Sequence, residues 1–313
     1  MRVLVVTNLT PDERTPNRGN YVRDQVAALR RLGAEVDLLS FPIGKRQYAR
    51  AVGRIRHALR ERHFDLVHAH YGLAGWCARL AGASPLIVTF HGTDVRHRTV
   101  GRLSRRLARS LDLTAGASRA LFAPEGGRPG LPHSPGMTAV LPCGADLERF
   151  QPIPRAEARE RVGVSADSRF LLFPAAPFRP EKRFDRVEGL AHRCGAEVIH
   201  GGNIEGEQMP EWINAANAVI VTSDNEGFGL VAVEALACDV AVLSTPVGVA
   251  PTLLRGLRGC HVGAFDAAAW AEVLEPHLAA ADSRVEGRAR ARWFAAEPLA
   301  ERVLTAYSEL LGE

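Results

Sequence analysis

The stretch Ala218-Val-Ile-Val-Thr-Ser-Asp-Asn-Glu-Gly-Phe-Gly-Leu-Val-Ala-Val-Glu-Ala-Leu-Ala-Cys238 decides how the rest of the chain is read. Ala218–Thr222 is a short apolar run suited to a buried strand. A polar, glycine-bearing loop follows, and a helical pattern begins near Leu230. Such a junction points free backbone N–H groups and the positive end of a helix at an anion. Glu226 lies in the loop and Glu234 inside the helix. That spacing keeps the two carboxylates off the same atom and lets them reach two ends of one extended ligand. The alternative is a pair of solvated carboxylates with no ligand.

Outward from this unit the same alternation recurs. In the second half, Phe170–Phe173, Val198–His200 and Val240–Ser244 read as further strands. The helix after Lys182 sets Phe184, Val187, Leu190, Ala191 and Cys194 on one face. In the first half the expected strands are Arg2–Val6, Glu35–Ser40, Asp65–Ala69, Leu86–Phe90 and Leu113–Ala117. Between them lie a helix over 19–32 with Val22, Val26 and Leu29 on one face, a basic helix over 46–62 and a second basic helix over about 101–111. Strands alternating with helices predict α/β structure, a parallel sheet with helices on both faces. The proline- and glycine-rich stretch 124–137 reads as a surface loop. Pro142, Gly144, Pro152 and Pro154 mark a junction, so a first domain is expected over 1–152 and a second over 153–292, with terminal helices over 293–313. Two doubly wound domains would face each other across a cleft at the carboxyl ends of their strands, where ligands bind in such sheets.

Bulk properties agree. The 313 residues are 46% hydrophobic and 24% charged, with a formal net charge of +4, as in ordinary globular proteins too long for one core. No apolar stretch approaches the roughly 20 residues that span a bilayer. The run at Met1–Val6 is too short for a signal peptide and is followed at once by Asn8, Asp12 and Glu13. The five cysteines are scattered with no Cys-x-x-Cys pair, which fits a reduced cytoplasmic chain without disulfide or zinc. No Gly-x-Gly-x-x-Gly follows the first strand and there is no Walker loop, which weakens dinucleotide and P-loop readings.

Three further segments carry candidate chemistry. In Phe178-Arg-Pro-Glu-Lys-Arg183, Arg179 and Lys182 fall in a loop after a strand, where paired cations suit a diphosphate; the bland reading is solvated loop charge. In Val88-Thr-Phe-His-Gly-Thr-Asp94, His91 ends a strand, where it can orient a hydroxyl or share a proton. His68 and His70 lie nearby, but His-x-His without a carboxylate fits packing better than a metal. Gly19 opens the first helix, where a glycine permits close backbone approach.

The combination Glu-Gly-Phe-Gly-Leu-Val-Ala-Val-Glu234, Arg-Pro-Glu-Lys182 and His-Gly-Thr-Asp94 resembles the retaining GT-B glycosyltransferases, in particular glycosyltransferase family 4, also called glycosyl transferases group 1. Leu141-Pro-Cys-Gly-Ala-Asp-Leu-Glu-Arg-Phe150 resembles that family's interdomain junction. The resemblance covers nearly the whole chain and implies two Rossmann-like domains, the last helix crossing back to the first. It implies transfer of a sugar from a nucleotide-diphosphate donor, a UDP-sugar in preference to a GDP-sugar, with retention of configuration and without metal or other cofactor.

By the same resemblance His91, Glu226, Lys182 and Arg179 are catalytic. The donor is held by Gly19, Arg179, Lys182, Ile204, Glu226, Gly227, Phe228, Gly229, Leu230 and Glu234, with Glu234 on the ribose. Asn17, Tyr71, His91 and Asp94 face the acceptor, which is a sugar, a lipid-linked or a small molecule. The sequence departs from the family at Ala176-Pro177, where the family has Gly-Arg and Arg179 stands as a shifted substitute. It departs again at Asp239 and Val249, beside the donor site. A non-catalytic nucleotide-sugar-binding homologue and a sugar-nucleotide epimerase of the same shape remain alternatives. Nucleic acid is not an expected partner. The arginines of 46–62 and 96–109 fall on shared helix faces and suit peripheral contact with an anionic membrane, with a solvated arginine-rich surface as the alternative.

Overall fold

The computed structural model describes residues 1–12, 16 and 18–313. The chain divides into two units: residues 1–11, 18–144 and 296–313 form the first, and residues 12–17 and 145–295 the second.

The first unit begins with β1 (Arg2–Thr7), α1 (Asn20–Arg31), β2 (Glu35–Ser40), α2 (Lys45–Glu61), β3 (Leu66–His70) and α3 (Gly72–Ala81). It continues with β4 (Leu86–Phe90), α4 (Thr93–Arg96), α5 (Arg98–Ala108), β5 (Leu113–Gly116) and β6 (Met137–Val140). All pairings are parallel, in the order β2-β1-β3-β4-β5-β6. The central strands β3 and β4 are buried along their whole length, as expected of a parallel sheet covered on both faces. The sheet reverses direction at β1, and crossovers between parallel strands are right-handed. Helix α1 therefore lies on one face of the sheet and α2, α3 and α5 on the other. Helix α5 starts at Arg98, ahead of the expected 101, because the His97 ring accepts from the N–H groups of Thr99 and Val100 at 3.3 and 3.2 Å and caps it. The loop expected over 124–137 gives way at Met137 to β6, a short edge strand.

The second unit runs α6 (Arg155–Val162), β7 (Phe170–Phe173), α7 (Phe184–Cys194), β8 (Glu197–His200), α8 (Met209–Ala215), β9 (Ala218–Val221) and α9 (Leu230–Ala237). It ends with β10 (Val242–Ser244), α10 (Ala250–Leu254), β11 (His261–Val262), α11 (Ala267–Ala279) and α12 (Arg288–Ala291). Its sheet is also parallel, in the order β11-β10-β9-β7-β8. Ala145 and Phe150 are buried in this unit's core together with Phe170, Val219, Leu236 and Trp270. The proline-bearing segment before α6 thus packs with the second unit. The terminal helix α13 (Ala296–Leu311) belongs to the first unit. It buries Ala300, Val303 and Tyr307 in the core that also holds Val22 and Val26 of α1. No helix among the described residues is long and apolar enough to cross a membrane.

Candidate active site

In the second unit the loop after β9 and the loop after β7 meet. Lys182 ends a short turn over 180–182, and both Glu226 carboxylate oxygens accept from its Nζ at 2.6 Å. The two side chains are only 12% and 14% exposed, so the ion pair is largely shielded from water and its attraction is weakly screened. Ser223 Oγ donates to the same carboxylate at 2.7 Å. Thr222 Oγ1 donates to the carbonyls of Lys182 and Arg183, both at 3.0 Å. The N–H of Asp224 donates to Glu181 O at 2.9 Å. These bonds fasten the two loops to each other and fix the lysine and the glutamate as one unit.

Arg179 does not join that pair. Its guanidinium bonds Glu181 at 2.8 Å and remains 40% exposed. Burial alone would raise the Glu181 carboxyl, but its backbone hydrogen bond and Arg179 outweigh that and hold it below its usual range. Gly229 takes φ 85° and opens α9 with no side-chain cap, so the first N–H groups of that helix remain available to an anion. Phe228 and Gly227 precede it, and Leu230 is the first helical residue. Glu234 lies on α9 beyond them, half-buried. Ile204 is buried in the second core and its N–H is bonded to Gly201 O at 3.2 Å.

Two residues not singled out from the sequence complete this loop. Ser223 is one. Gly248 is the other: it takes φ 55°, and a Cβ there would stand 2.2 Å from Phe228 O. Its neighbour Val249 donates its N–H to that same oxygen at 2.7 Å. The glycine in Val247-Gly-Val signals such a close approach, but its partner cannot be read from sequence. Asp239 has φ 56°, and its Oδ1 accepts from the N–H groups of Gly287 and Arg288 at 3.0 and 2.8 Å. The aspartate thus tolerates a left-handed position and caps α12, which a glycine could not do.

The first unit gathers its candidates at the carboxyl ends of its strands. Asp94 is buried. Its Oδ2 accepts from Gly72 N at 2.9 Å and its Oδ1 from His91 N and Gly92 N, each at 3.0 Å. It therefore ties the loop after β4 to the start of α3. Burial pushes its carboxyl up to about 6 even against these backbone donors. His91 Nε2 and His70 Nδ1 share a hydrogen bond of 2.9 Å. Burial pushes His70 down to about 3; burial and then the neighbouring His70 push His91 well down as well. Both rings are therefore neutral at physiological pH, and one proton serves the shared bond.

Tyr71 stacks on His91 at 5.1 Å and holds φ 78°, a strained conformation for a tyrosine. His68 is engaged elsewhere, by Tyr307 at 2.6 Å and Thr89 at 2.8 Å. Several buried polar atoms have no partner among the described residues: Asn8 Oδ1 and Thr10 Oγ1 after β1, His70 Nε2 at the end of β3 and Ser118 Oγ after β5. Unpaired buried polar atoms at one rim of a sheet mark a place where a polar ligand would complete them. Gly19 is accounted for by packing, since a Cβ at φ 79° would stand 2.2 Å from Leu9 O. Asn17 lies outside the described residues. Among the described residues no cluster of His, Cys, Asp and Glu could hold a metal ion.

Comparison with known proteins adds to this geometry. Residues 19–149 match the family described as Glycosyltransferase Family 4, and residues 180–292 the family described as Glycosyl transferases group 1. D-inositol 3-phosphate glycosyltransferase of Xylanimonas cellulosilytica is 30% identical over 309 residues, covering 79% of this chain and 72% of that protein. The protein of the same name from Actinosynnema mirum is 29% identical over 313 residues, covering 79% and 73%. Among solved structures, sucrose-phosphate synthase from Thermosynechococcus elongatus superposes with a TM-score of 0.73 at 21% identity over 99% of both chains. Anabaena HepE, solved in complex with UDP and glucose, gives 0.71 at 18% identity over 99% of this chain and 100% of its own. At such identities the structural likeness speaks for the fold alone.

Proposed function

This chain belongs to glycosyltransferase family 4 and has the GT-B fold, and we propose that it moves a sugar from a nucleoside diphosphate donor, a UDP-sugar in preference to a GDP-sugar, to an acceptor hydroxyl with retention of anomeric configuration. The observation that carries the reading is the shielded Lys182–Glu226 pair, held by Ser223 beside the uncapped start of α9. It places a cation, a carboxylate and free backbone N–H groups on one loop pair, as a charged diphosphate bearing a hydroxyl-rich sugar requires.

In this reading the diphosphate takes Lys182, with Arg179 and the N–H groups at Phe228–Leu230. Glu226, released in part from the lysine, accepts from sugar hydroxyls. Glu234 accepts from the ribose. The acceptor hydroxyl attacks the anomeric carbon from the side the leaving group departs. The bond from that carbon to the β-phosphate oxygen breaks, and its electron pair leaves with the nucleoside diphosphate. The hydroxyl proton passes to a β-phosphate oxygen, so no covalent enzyme intermediate forms. Lys182 stabilises the charge that grows on the leaving group, and fixed cations stand where other transferases use a divalent metal.

The acceptor belongs to the first unit, against His91, Tyr71 and the unpaired atoms of His70 and Asn8. Neutral imidazoles there can orient a hydroxyl by hydrogen bonding. HepE has been solved with UDP-glucose, which makes that nucleotide a reasonable first donor to test. The test is a transfer assay with a panel of nucleotide sugars and hydroxylated acceptors, followed by NMR of the product. An α-linked product from an α-configured donor is expected; an inverted product, or an epimerised donor, would overturn the reading.

A further inference from the structure

The two helical layers on the first unit's sheet differ in charge. Helices α2, α3 and α5 make one layer, and the only acidic residue in the three is Glu61, at the end of α2. Arg46, Arg50, Arg60, Arg98, Arg102 and Arg106 are exposed, and none has a hydrogen-bond or ion-pair partner among the described residues. Arg46 with Arg50, and Arg98 with Arg102 and Arg106, follow at a spacing of four, where like charges stand one above the other and repel. On the opposite layer α1 and α13 mix both signs, and Arg31 pairs with Glu297 between them.

The basic layer also bears aliphatic side chains in water. Leu80 at the end of α3 is 61% exposed, Ile43 just before α2 56% and Leu103 in the middle of α5 40%. Side-chain bonds hold the layer together: Arg56 donates to Leu80 O at 2.8 Å, Trp76 Nε1 donates to Leu103 O at 3.0 Å and Cys77 Sγ donates to Tyr48 O at 3.6 Å. The three helices are thus one fixed surface of unpaired cations interspersed with aliphatic groups.

We propose that the outer face of α2, α3 and α5 docks on an anionic lipid bilayer, with its arginines at the headgroup phosphates and Ile43, Leu80 and Leu103 at the acyl boundary. Cations alone would serve any polyanion. The aliphatic side chains select a lipid surface, where burying them adds to the electrostatic attraction. A single-stranded nucleic acid would call instead for exposed aromatic stacking platforms. Among the described residues the exposed aromatics, Phe178 and Trp293, both lie in the second unit.

The test is co-sedimentation of the full chain with phosphatidylglycerol-containing vesicles and with vesicles of phosphatidylcholine alone, at low and high salt. Wild type should pellet with the anionic vesicles only. R102Q/R106Q should weaken partitioning about 25-fold, about fivefold for each arginine. Leu103→Ser should remove the binding that survives high salt. R193Q/R258Q, with the same change in charge on exposed positions of the second unit, should bind as wild type does. All of these positions are exposed, and unchanged melting temperatures will verify that the folds are intact. The proposal fails if wild type stays in the supernatant, if the two double variants lose binding equally, or if R102Q/R106Q loses binding to RNA while wild type ignores the vesicles. No sugar donor is present in the assay, so its outcome is independent of the transfer reaction.

Discussion

The two candidate sites solve the burial of polar groups in opposite ways. In the second unit the polar groups are charged and satisfied by each other: Lys182, Glu226 and Ser223 close a compact network. In the first unit the histidines are neutral, and buried atoms such as His70 Nε2 and Asn8 Oδ1 are left without partners among the described residues. A shielded charge pair is a store of electrostatic interaction that an ionic ligand can redirect. A set of unpaired neutral atoms is a mould for hydroxyl groups. The difference is what the proposed function rests on in giving the phosphate-bearing substrate to one unit and the uncharged reacting group to the other.

The comparison can be broken most severely at Lys182. Lys182→Ala should lower turnover about 100- to 1000-fold, the usual effect of losing one fixed group aimed at developing charge. Thermal stability should fall as well, because the shielded Glu226 carboxylate loses its countercharge, so turnover is compared at a temperature where the variant is folded. Turnover equal to wild type at saturating donor would remove Lys182 from the chemistry.

Asp94 is the next largest test, and it concerns the first unit's framework. Its carboxyl is raised from the ordinary 3.8 to about 6. The folded chain therefore binds that proton more readily than the unfolded chain. The resulting stability is fully present below pH 3.8 and is lost as pH rises through about 6, an effect of about 3 kcal/mol. Denaturant melts of wild type and Asp94→Asn across this window should show wild type losing that much more. Parallel pH profiles would mean that Asp94 is better solvated than its burial implies.

Glu234→Ala sharpens the contrast from the donor side. One charged hydrogen bond to a ribose is worth about 1.5–3 kcal/mol, so calorimetry should find the nucleoside diphosphate bound about 10- to 150-fold more weakly. Unchanged affinity would move the ribose elsewhere. The smallest effect is expected from chelation: transfer in EDTA should equal transfer without it, since in the proposed reading lysine and arginine serve the diphosphate. Activity lost in EDTA and restored by a divalent ion would show that the fixed cations are insufficient.

Much of the framework was legible because a parallel sheet buried on both faces leaves continuous apolar runs. Glu35–Ser40, Leu86–Phe90 and Phe170–Phe173 could be read to the residue. β11, with two residues, is too short for any pattern to register, and β6 follows directly on a proline- and glycine-rich loop. In the site, the Glu226–Glu234 spacing and the start of α9 at Leu230 were plain from the sequence. The bond from Lys182 to Glu226 crosses two loops, and local sequence cannot announce it. Arg179 was expected beside Lys182 on the diphosphate; its guanidinium bonds Glu181, its own neighbour two residues on, a contact that the sequence did not single out. The unpaired atoms of His70 and Asn8 are products of tertiary packing, and their residue types alone carry no such signal.

Native mass spectrometry of the chain after exposure to a mixture of nucleotide sugars tests the central claim most directly. Wild type should retain one nucleoside diphosphate sugar per chain, at concentrations within the range of about 1 μM to 1 mM typical of enzyme substrates. Lys182→Ala should retain markedly less under the same conditions. A wild-type chain that retains none of them, or a Lys182→Ala chain that retains as much, would contradict the assignment of the Lys182–Glu226 pair to the donor diphosphate.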